Sequence, residues 1–471
     1  MSYEELDLLT KEQLIDLILR QTEQLERFVQ LEAAFQQLQA DNEALKMKIE
    51  RNQKPLTTSK NSSQPPSKDQ KSNRPKDRRE HRHGPPVGHE KHERKLVAQA
   101  DHVIQLRAKR CQNCQADLEN EAGRLVGINQ ITELPESQAR VIEVRQYEQT
   151  CPCCSQKQIV QPPAGLEMER TFGSRLESTV VYYRQEQHMS YKRTEKALLN
   201  LYGVKISQGG IDGIMQRAGT QAIKRVSAIE ATVQQSAVIY CDETGSRVDS
   251  NNWWEWVFCT SKAILHVLRF NRSSDVIRDV MGSAQADVWV SDCYLAQLIS
   301  PARQRQLCLA HQLRNLQAVV DAYPTLTWPK AMQVVFRYAI HLHHQRSQLS
   351  PEQFAAQVNR IERYTDRLLQ RSLSPPDAVR LQHRYLKYRH HLFVFLYRTD
   401  LEPTNNVAEQ ALRPSVIHRK VTGCFRSVWG AKAYAALASV IDTAELAGVH
   451  AFASIQNLFG TPSLPIPMVG E

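Results

Sequence analysis

Apolar residues recur every three or four positions through the first fifty residues. With Phe28, Phe35, Asn42 and Ile49 at a positions, Leu31, Leu38 and Leu45 fall at d, and Leu14 and Leu17 extend the pattern backwards across polar Gln21 and Gln24. This alternation predicts a coiled-coil helix over residues 1–50. Thr10 and Gln13 can form a capping box at its start, and Asn42 is an amide at an a position, which fixes register and strand number. The expectation is a parallel homodimer or higher oligomer, against the plainer reading of a helix packed on its own chain.

The pattern then stops. Residues 51–97 are rich in Ser, Pro, Asn, Gln and Lys with almost nothing apolar to bury, which predicts a basic linker, disordered alone. A cysteine-bearing segment covers 98–165. Helical texture returns over 166–234, where Gly203 and the Gly209-Gly210 pair suggest two or three short helices, with Ser207 to Asp212 a weak start signal for the second helix of a helix-turn-helix. At Ser236 the period changes: Ala237–Cys241, Trp254–Cys259 and Ile264–Phe270 are short apolar runs at hairpin spacing, Asp287–Ser291 reads as a fourth strand and Gln306–Leu309 as a fifth, with a helix at 273–282. Residues 311–400 and 405–458 read as helix. Three strands, helix, strand, helix, strand is the order of a mixed sheet flanked by helices, within a region spanning 235–458 and followed by a tail at 459–471.

Composition sharpens this. The 471 residues are 41% hydrophobic and 23% charged, ordinary globular usage that excludes a wholly disordered, collagenous or membrane-embedded chain. No run approaches the roughly 18–20 apolar residues of a spanning helix, and the N-terminus carries no basic segment before an apolar stretch, so a cytoplasmic, nucleoid-associated protein is expected. The 60 Lys and Arg against 50 Asp and Glu give +10. Thirteen of those bases and five of those acids lie between Arg51 and Lys95, a net +8 that leaves +2 elsewhere. Basic side chains clustered this way attract a phosphate backbone through counterion release, although a solvated linker would have the same composition.

Cys111-Gln-Asn-Cys114 and, after thirty-six intervening residues, Cys151-Pro-Cys-Cys154 are two CxxC knuckles. Each pair can grip one side of a tetrahedral Zn²⁺, and four thiolates close the shell into a structural site. The expected ligands are Cys111, Cys114, Cys151 and Cys154, with Cys153 an alternative to Cys154 or Cys151. A zinc there would supply folding energy to a segment with little core. The second constellation is acidic. Asp242 and Asp292 each follow an apolar strand-like run, and Glu409 lies one turn after a Thr404 or Asn405 helix cap, so a helix packed on the sheet can bring it to the two strand ends. Three convergent carboxylates repel unless a cation intervenes, and an oxygen-only ligand set suits two Mg²⁺ or Mn²⁺ ions clamping a phosphodiester displacement. Glu243 is a rival for Asp242, but strand alternation points neighbours to opposite faces.

Several of these landmarks occur together, in order: Asn61-Ser-Ser-Gln-Pro-Pro-Ser67, the CxxC pair, Cys241-Asp-Glu-Thr244, Ser291-Asp-Cys-Tyr294, Cys308-Leu-Ala-His311, Asn405-Asn-Val-Ala-Glu409, and a closing block from Arg419-Lys420 through Gly430-Ala431 to Ile441-Asp-Thr-Ala444. In these the chain resembles the IS66-type bacterial insertion-sequence transposases. It departs from their pattern at Gly245, Cys293 and Gln410, where proline, glycine and arginine are usual. The resemblance implies an RNase H-like catalytic domain of the DDE class, with Asp242, Asp292 and Glu409 as the triad and a helical insertion at about 311–400. It implies a DNA transposase that binds the ends of its element, frees a 3′ hydroxyl and joins it to target DNA, possible partners including accessory proteins of the same element. Arg413, Arg419 and Lys420 beside the third acid are candidate phosphate contacts. His311 and Arg314 follow the fifth strand and can approach DNA, His311 having the plainer reading of a satisfied core histidine. The alternatives are a DNA-binding regulator with an inactive catalytic domain, and a nuclease that cuts without joining.

Overall fold

A computed structural model of the protein describes residues 10, 27–28, 31–32, 34–39, 41–42, 57–62, 69, 89–90, 95–135, 137–163 and 165–460. Leu14, Leu17, Leu45 and Ile49 of the heptad pattern, most of the basic linker and residues 461–471 lie outside the described residues. Those described between 27 and 42 are helical, with Phe28, Leu31, Phe35 and Leu38 all exposed.

The chain divides into two compact units. The smaller comprises Lys71–Pro162 and Tyr191–Ile211. It contains an antiparallel hairpin of Glu148–Thr150 with Lys157–Ile159 and a helix at Tyr191–Tyr202. Most of its apolar residues between 103 and 141, among them Ile104, Leu106, Val126 and Leu134, are exposed, with Leu118 half-buried, as expected of a segment too small to build its own core.

The larger unit holds the sheet. Its elements run α1 (Ser174–Gln185), α2 (Gln208–Gln234, in this unit from Asp212), β1 (Val238–Val248), β2 (Asn251–Cys259), β3 (Ile264–Arg269), α3 (Ser274–Met281), β4 (Ala286–Ser291), α4 (Leu295–Leu298), β5 (Ala302–Leu307), α5 (Leu309–Ala322), α6 (Thr327–His344), α7 (Pro351–Leu369), α8 (Pro376–Lys387), α9 (Asn406–Thr422), α10 (Val428–Leu446) and α11 (Ala451–Leu458). The five strands lie in the order β3-β2-β1-β4-β5; β2 runs antiparallel to both of its neighbours, β1 and β3, and β4 and β5 run parallel to β1. A mixed sheet with helices around it is thus the observed class.

Among the element boundaries that differ from the sequence reading, those of β1 and α2 do so for clear physical reasons, while β5 runs Ala302–Leu307 instead of 306–309, with Leu309 opening α5. β1 continues through Asp242 to Val248, because its polar half pairs residue by residue with β2 across a turn in which Asp249 and Ser250 take positive φ. The Gly209-Gly210 pair opens α2 without breaking it: the Ser207 hydroxyl caps the helix by accepting from Gly210 N at 3.1 Å. Part of the linker also has a partner. Thr58 N donates to Asn61 Oδ1 at 2.7 Å, Ser59 donates through N and Oγ to Asp69, and Asn61 Nδ2 reaches Asp321 Oδ2 of α5 at 2.9 Å. The order of this turn comes from α5, which its own composition could not reveal.

The core is continuous from the sheet into α5–α8: Val257, Val290 and Leu307 of the strands share one cluster with Leu316, Trp328, Phe336, Tyr385 and Phe395. Against the other half of the sheet lies α10, whose run of Ala431, Ala433, Ala435, Ala436 and Ala438 allows close approach. At Gly219 of α2 a Cβ would lie 2.7 Å from Ala433 Cβ and 3.2 Å from the Trp429 ring. Gly219→Ala is therefore expected to lower stability by up to roughly 2 kcal/mol, an overpacking cost of about 1–3 less the ~1 that alanine gains as a helix former. Denaturant unfolding checks this, and an unchanged midpoint would show that the helices part freely.

Candidate active site

The site is built by register. Tyr240 opposite Val290 is the last parallel pair of β1 and β4. Asp242 and Asp292 each lie two residues beyond that pair, so both carboxylates leave the sheet at the same end, where parallel strands splay. In the antiparallel ladder Asp242 is opposite Val257, which is opposite His266, while Glu243 is opposite Trp256 and then Val267. The two neighbouring acids therefore use different faces. Glu243 is fully occupied on its own: Arg272 donates to its Oε1 from Nε at 2.9 Å and Nη2 at 2.6 Å, and Gln297 Nε2 donates to Oε2 at 2.7 Å. Arg272 in turn is sandwiched by Trp254 and Tyr294, 4.6 and 4.0 Å from their ring centres. Sequence reading found neither Arg272 nor Gln297, because only the folded sheet brings them to Glu243.

Glu409 arrives on α9. Of the two cap candidates, Thr404 and Asn405, it is Asn405 that stands at the N-cap position, but its side chain caps nothing: it donates from Nδ2 to Cys241 O at 2.8 Å, and its own N–H donates to Cys308 Sγ at 3.2 Å. The first turn of α9 is thereby tied to the strand position next to Asp242. Glu409 is faced by Arg314 Nη2 at 3.4 Å and His311 Nδ1 at 3.6 Å, both from α5. His311 is not a satisfied core histidine: its buried Nδ1 has no hydrogen-bond partner. Burial, and the Arg314 charge after it, push its imidazole below the ordinary range despite Glu409.

Asp242 shows the electrostatics of the cluster. Its carboxyl is held well above the usual carboxylate range, first by burial, then by the charges of Glu243, Asp292 and Glu409, with only the Glu243 N–H opposing. Asp292 accepts from Tyr294 N at 2.8 Å. The spacing of four and then seven residues puts Arg413 and Lys420 on the side of α9 that carries Glu409, both exposed; Arg419 is half-buried in the last turn. In the smaller unit the two knuckles form the same turn. Cys111 N donates to Ala116 O and Cys151 N to Gln156 O, Gln115 N returns to Cys111 O and Ser155 N to Cys151 O, all at 2.9 Å, and Gln115 and Ser155 both take positive φ. Backbone N–H groups lower the thiols of Cys111 and Cys151 in matching fashion. By this match Cys114 corresponds to Cys154, and Asn113 to Cys153. Among the described residues, the acids Asp242, Asp292 and Glu409 do not lie within 4.8 Å of one another as a set, nor do the four cysteines; Cys308, His311 and Glu409 do.

The model of the transposase IS66 family matches residues 169–433, which include β1–β5, Asp242, Asp292 and Glu409. The chain belongs to the IS66 transposase family. No curated protein matches it. An IS66 transposase acts on DNA and is expected to need a divalent metal, and in this member the matched region contains every residue of the acidic cluster and the α5 side chains facing it. Among the described residues, no helix is long and apolar enough to cross a membrane.

Proposed function

We propose that this IS66-family protein is the DNA transposase of its element: it binds the element's ends, hydrolyses a phosphodiester to free a 3′ hydroxyl and joins that hydroxyl to target DNA. The observation that carries the reading is the convergence at one end of the sheet of Asp242 and Asp292, in register two residues past the last parallel pair, with Glu409 tied there through Asn405. The strand order and the helices between the second and third acids support an RNase H-like domain of the DDE class.

The donor set fits Mg²⁺ or Mn²⁺. All three side chains offer oxygen only, and burial together with the charges of its acidic neighbours raises the Asp242 carboxyl above the usual range, the electrostatic strain that a bound cation relieves. Ions bound there would lower the pKa of the attacking water or hydroxyl and stabilise the departing 3′ oxygen. The chain's own part is to hold three carboxylates at one end of a rigid sheet and on one anchored helix, and to receive phosphates on Arg314, Arg413, Arg419 and Lys420. The matched knuckle turns support a structural Zn²⁺ held by Cys111, Cys114, Cys151 and Cys154. The exposed stripe of Phe28, Leu31, Phe35 and Leu38 supports pairing of protomers through the coiled coil, which suits a reaction on two DNA ends.

The test is a labelled duplex carrying the element's terminal repeat, incubated with the full chain and Mg²⁺ or Mn²⁺, with products resolved for both nicked and joined strands. Joined strands are the expected result. Nicks without joining would make the protein a nuclease, and metal-independent binding with neither product, persisting when the element's other proteins are added, would make it a regulator.

A further inference from the structure

We infer that Cys308, His311 and Glu409 form a second metal site, for a thiophilic divalent cation such as Zn²⁺, which shares Glu409 with the carboxylate cluster. The sequence supplies the first two ligands as Cys308-Leu-Ala-His311, with the thiol at the N-terminal cap of α5 and the imidazole one turn into the helix, the spacing that puts both on one side. The third comes from α9, nearly a hundred residues on in sequence. Sγ, an imidazole nitrogen and a carboxylate oxygen all lie within 4.8 Å of one another, and His311 Nδ1 is already 3.6 Å from Glu409 Oε1. Bond lengths of about 2.0–2.3 Å imply ligand–ligand edges of roughly 3.3–3.8 Å in a tetrahedral site, so the ligand atoms need to draw together by no more than about 1.5 Å to close the set.

Three further features point to a ligand here. His311 Nδ1 is buried and makes no hydrogen bond, so it is free to coordinate. Asn405, fully buried, donates its N–H to Cys308 Sγ at 3.2 Å, the outer-shell support that orients a metal-bound thiolate, and its Oδ1 is itself without a partner. Thiolate and imidazole select Zn²⁺ over Mg²⁺, and three protein ligands leave a fourth position for water. Arg314, 3.4 Å from Glu409, opposes a cation and would have to turn away.

One consequence rests on the proposed transposase chemistry. Glu409 bound to Zn²⁺ beside Cys308 is no longer available to the ions held with Asp242 and Asp292. Zn²⁺ is then an inhibitor of Mg²⁺-dependent cleavage that acts through Cys308, whose thiol otherwise only accepts the Asn405 N–H that helps anchor α9.

The full chain, stripped of metal and titrated with Co²⁺, tests the site through thiolate-to-cobalt absorption. The cysteine knuckles also contribute such bands, so the readout is the difference between the parent and Cys308→Ser, in which the knuckles are unchanged. The parent should take up one more Co²⁺ per chain, with a difference spectrum of thiolate and imidazole ligation that excess Mg²⁺ does not remove. His311→Ala, which keeps the thiol, should lose the same signal and decides the matter if the serine variant fails to fold. Equal uptake and superimposable spectra in parent and variants would overturn the site. In the cleavage assay Zn²⁺, with each protein measured against its own zinc-free rate, should inhibit the parent at least tenfold more strongly than Cys308→Ser. A Cys308-dependent cobalt signal in a protein that never cleaves DNA would leave the site standing and remove the transposase reading; cleavage with no cobalt difference would do the reverse.

Discussion

Asp242→Asn is expected to abolish cleavage and joining while leaving DNA binding intact, a fall of about 10³-fold or more, since several kcal/mol of metal-dependent charge stabilisation would be lost at about 1.4 kcal/mol per tenfold. The substitution is nearly isosteric, removes one ligand oxygen's charge and keeps the acceptor for the Glu243 N–H. The informative control is its neighbour. Glu243 differs from Asp242 by one position and one face, and its oxygens are held by Arg272 and Gln297. Glu243→Gln should therefore reduce folding stability more than it reduces the rate per folded molecule. A single-turnover assay normalised to folded protein, with binding followed separately by gel shift, distinguishes the two. Equal rate losses in both variants would mean that the reaction uses the other face of β1.

The second large effect lies on the same face as Asp242 but away from the strand ends. His266 and Glu255 have side chains only 1% and 2% exposed, with Nδ1 to Oε1 at 3.0 Å, and His266 Nε2 meets Asp442 Oδ2 of α10 at 2.9 Å. Ser415 of α9 donates to the same Glu255 oxygen at 2.6 Å, so this network joins the helix carrying Glu409 to the sheet. Burial works to discharge the imidazole, but the hydrogen bonds and charges of Asp442 and Glu255 outweigh it and push the ring up to about 10. A group whose folded pKa is raised binds protons more tightly when folded. Its contribution to stability is full below the unfolded value near 6.5 and is lost as pH rises towards the folded value. Glu186, pushed up to about 7 by burial and by Asp442 and Glu445, titrates close by, so the comparison is best made from about pH 7.5 upward. Melting temperature should fall across that range in the parent, and far less in His266→Gln. At neutral pH, His266→Ala leaves two carboxylates without their cation and should cost roughly 3–5 kcal/mol. A flat parent profile would mean that the ring is neutral.

The parts of this arrangement that local sequence reveals are those with a local cause. Apolar runs at Ala237–Cys241 and Asp287–Ser291 marked the buried halves of β1 and β4, and the acids just beyond them marked the place where the sheet opens. The polar half of β1 was not legible, because it is fixed by pairing with β2 and carries little apolar signal. Nor was β5 legible before Gln306: an edge strand that begins Ala-Arg-Gln-Arg needs only one paired side. Asn405 read as a cap because Asn before a helix usually is one; its preference for Cys241 O depends on a strand 164 residues away. His266, Glu255 and Asp442 are unremarkable singly, and acquire meaning only when β2, β3 and α10 meet.

The helices α5–α8 leave the sheet and return to it through one doorway. Cys308 N donates to Ser291 O at 2.8 Å as the chain departs, and Leu309 N donates to Pro403 O at 3.0 Å where it comes back, one residue pair from the contact between Asn405 N and Cys308 Sγ. The two thresholds are thus stitched to each other and to the strand bearing Asp242. What lies between them has a fixed span, and the turns that join its helices can vary in length at little cost, since loop-closure entropy grows only logarithmically. Residues added at the exposed turns between α6, α7 and α8 should therefore leave Glu409 in place, whereas α5, which carries His311 and Arg314, and the helix faces that share the sheet's core are held to it.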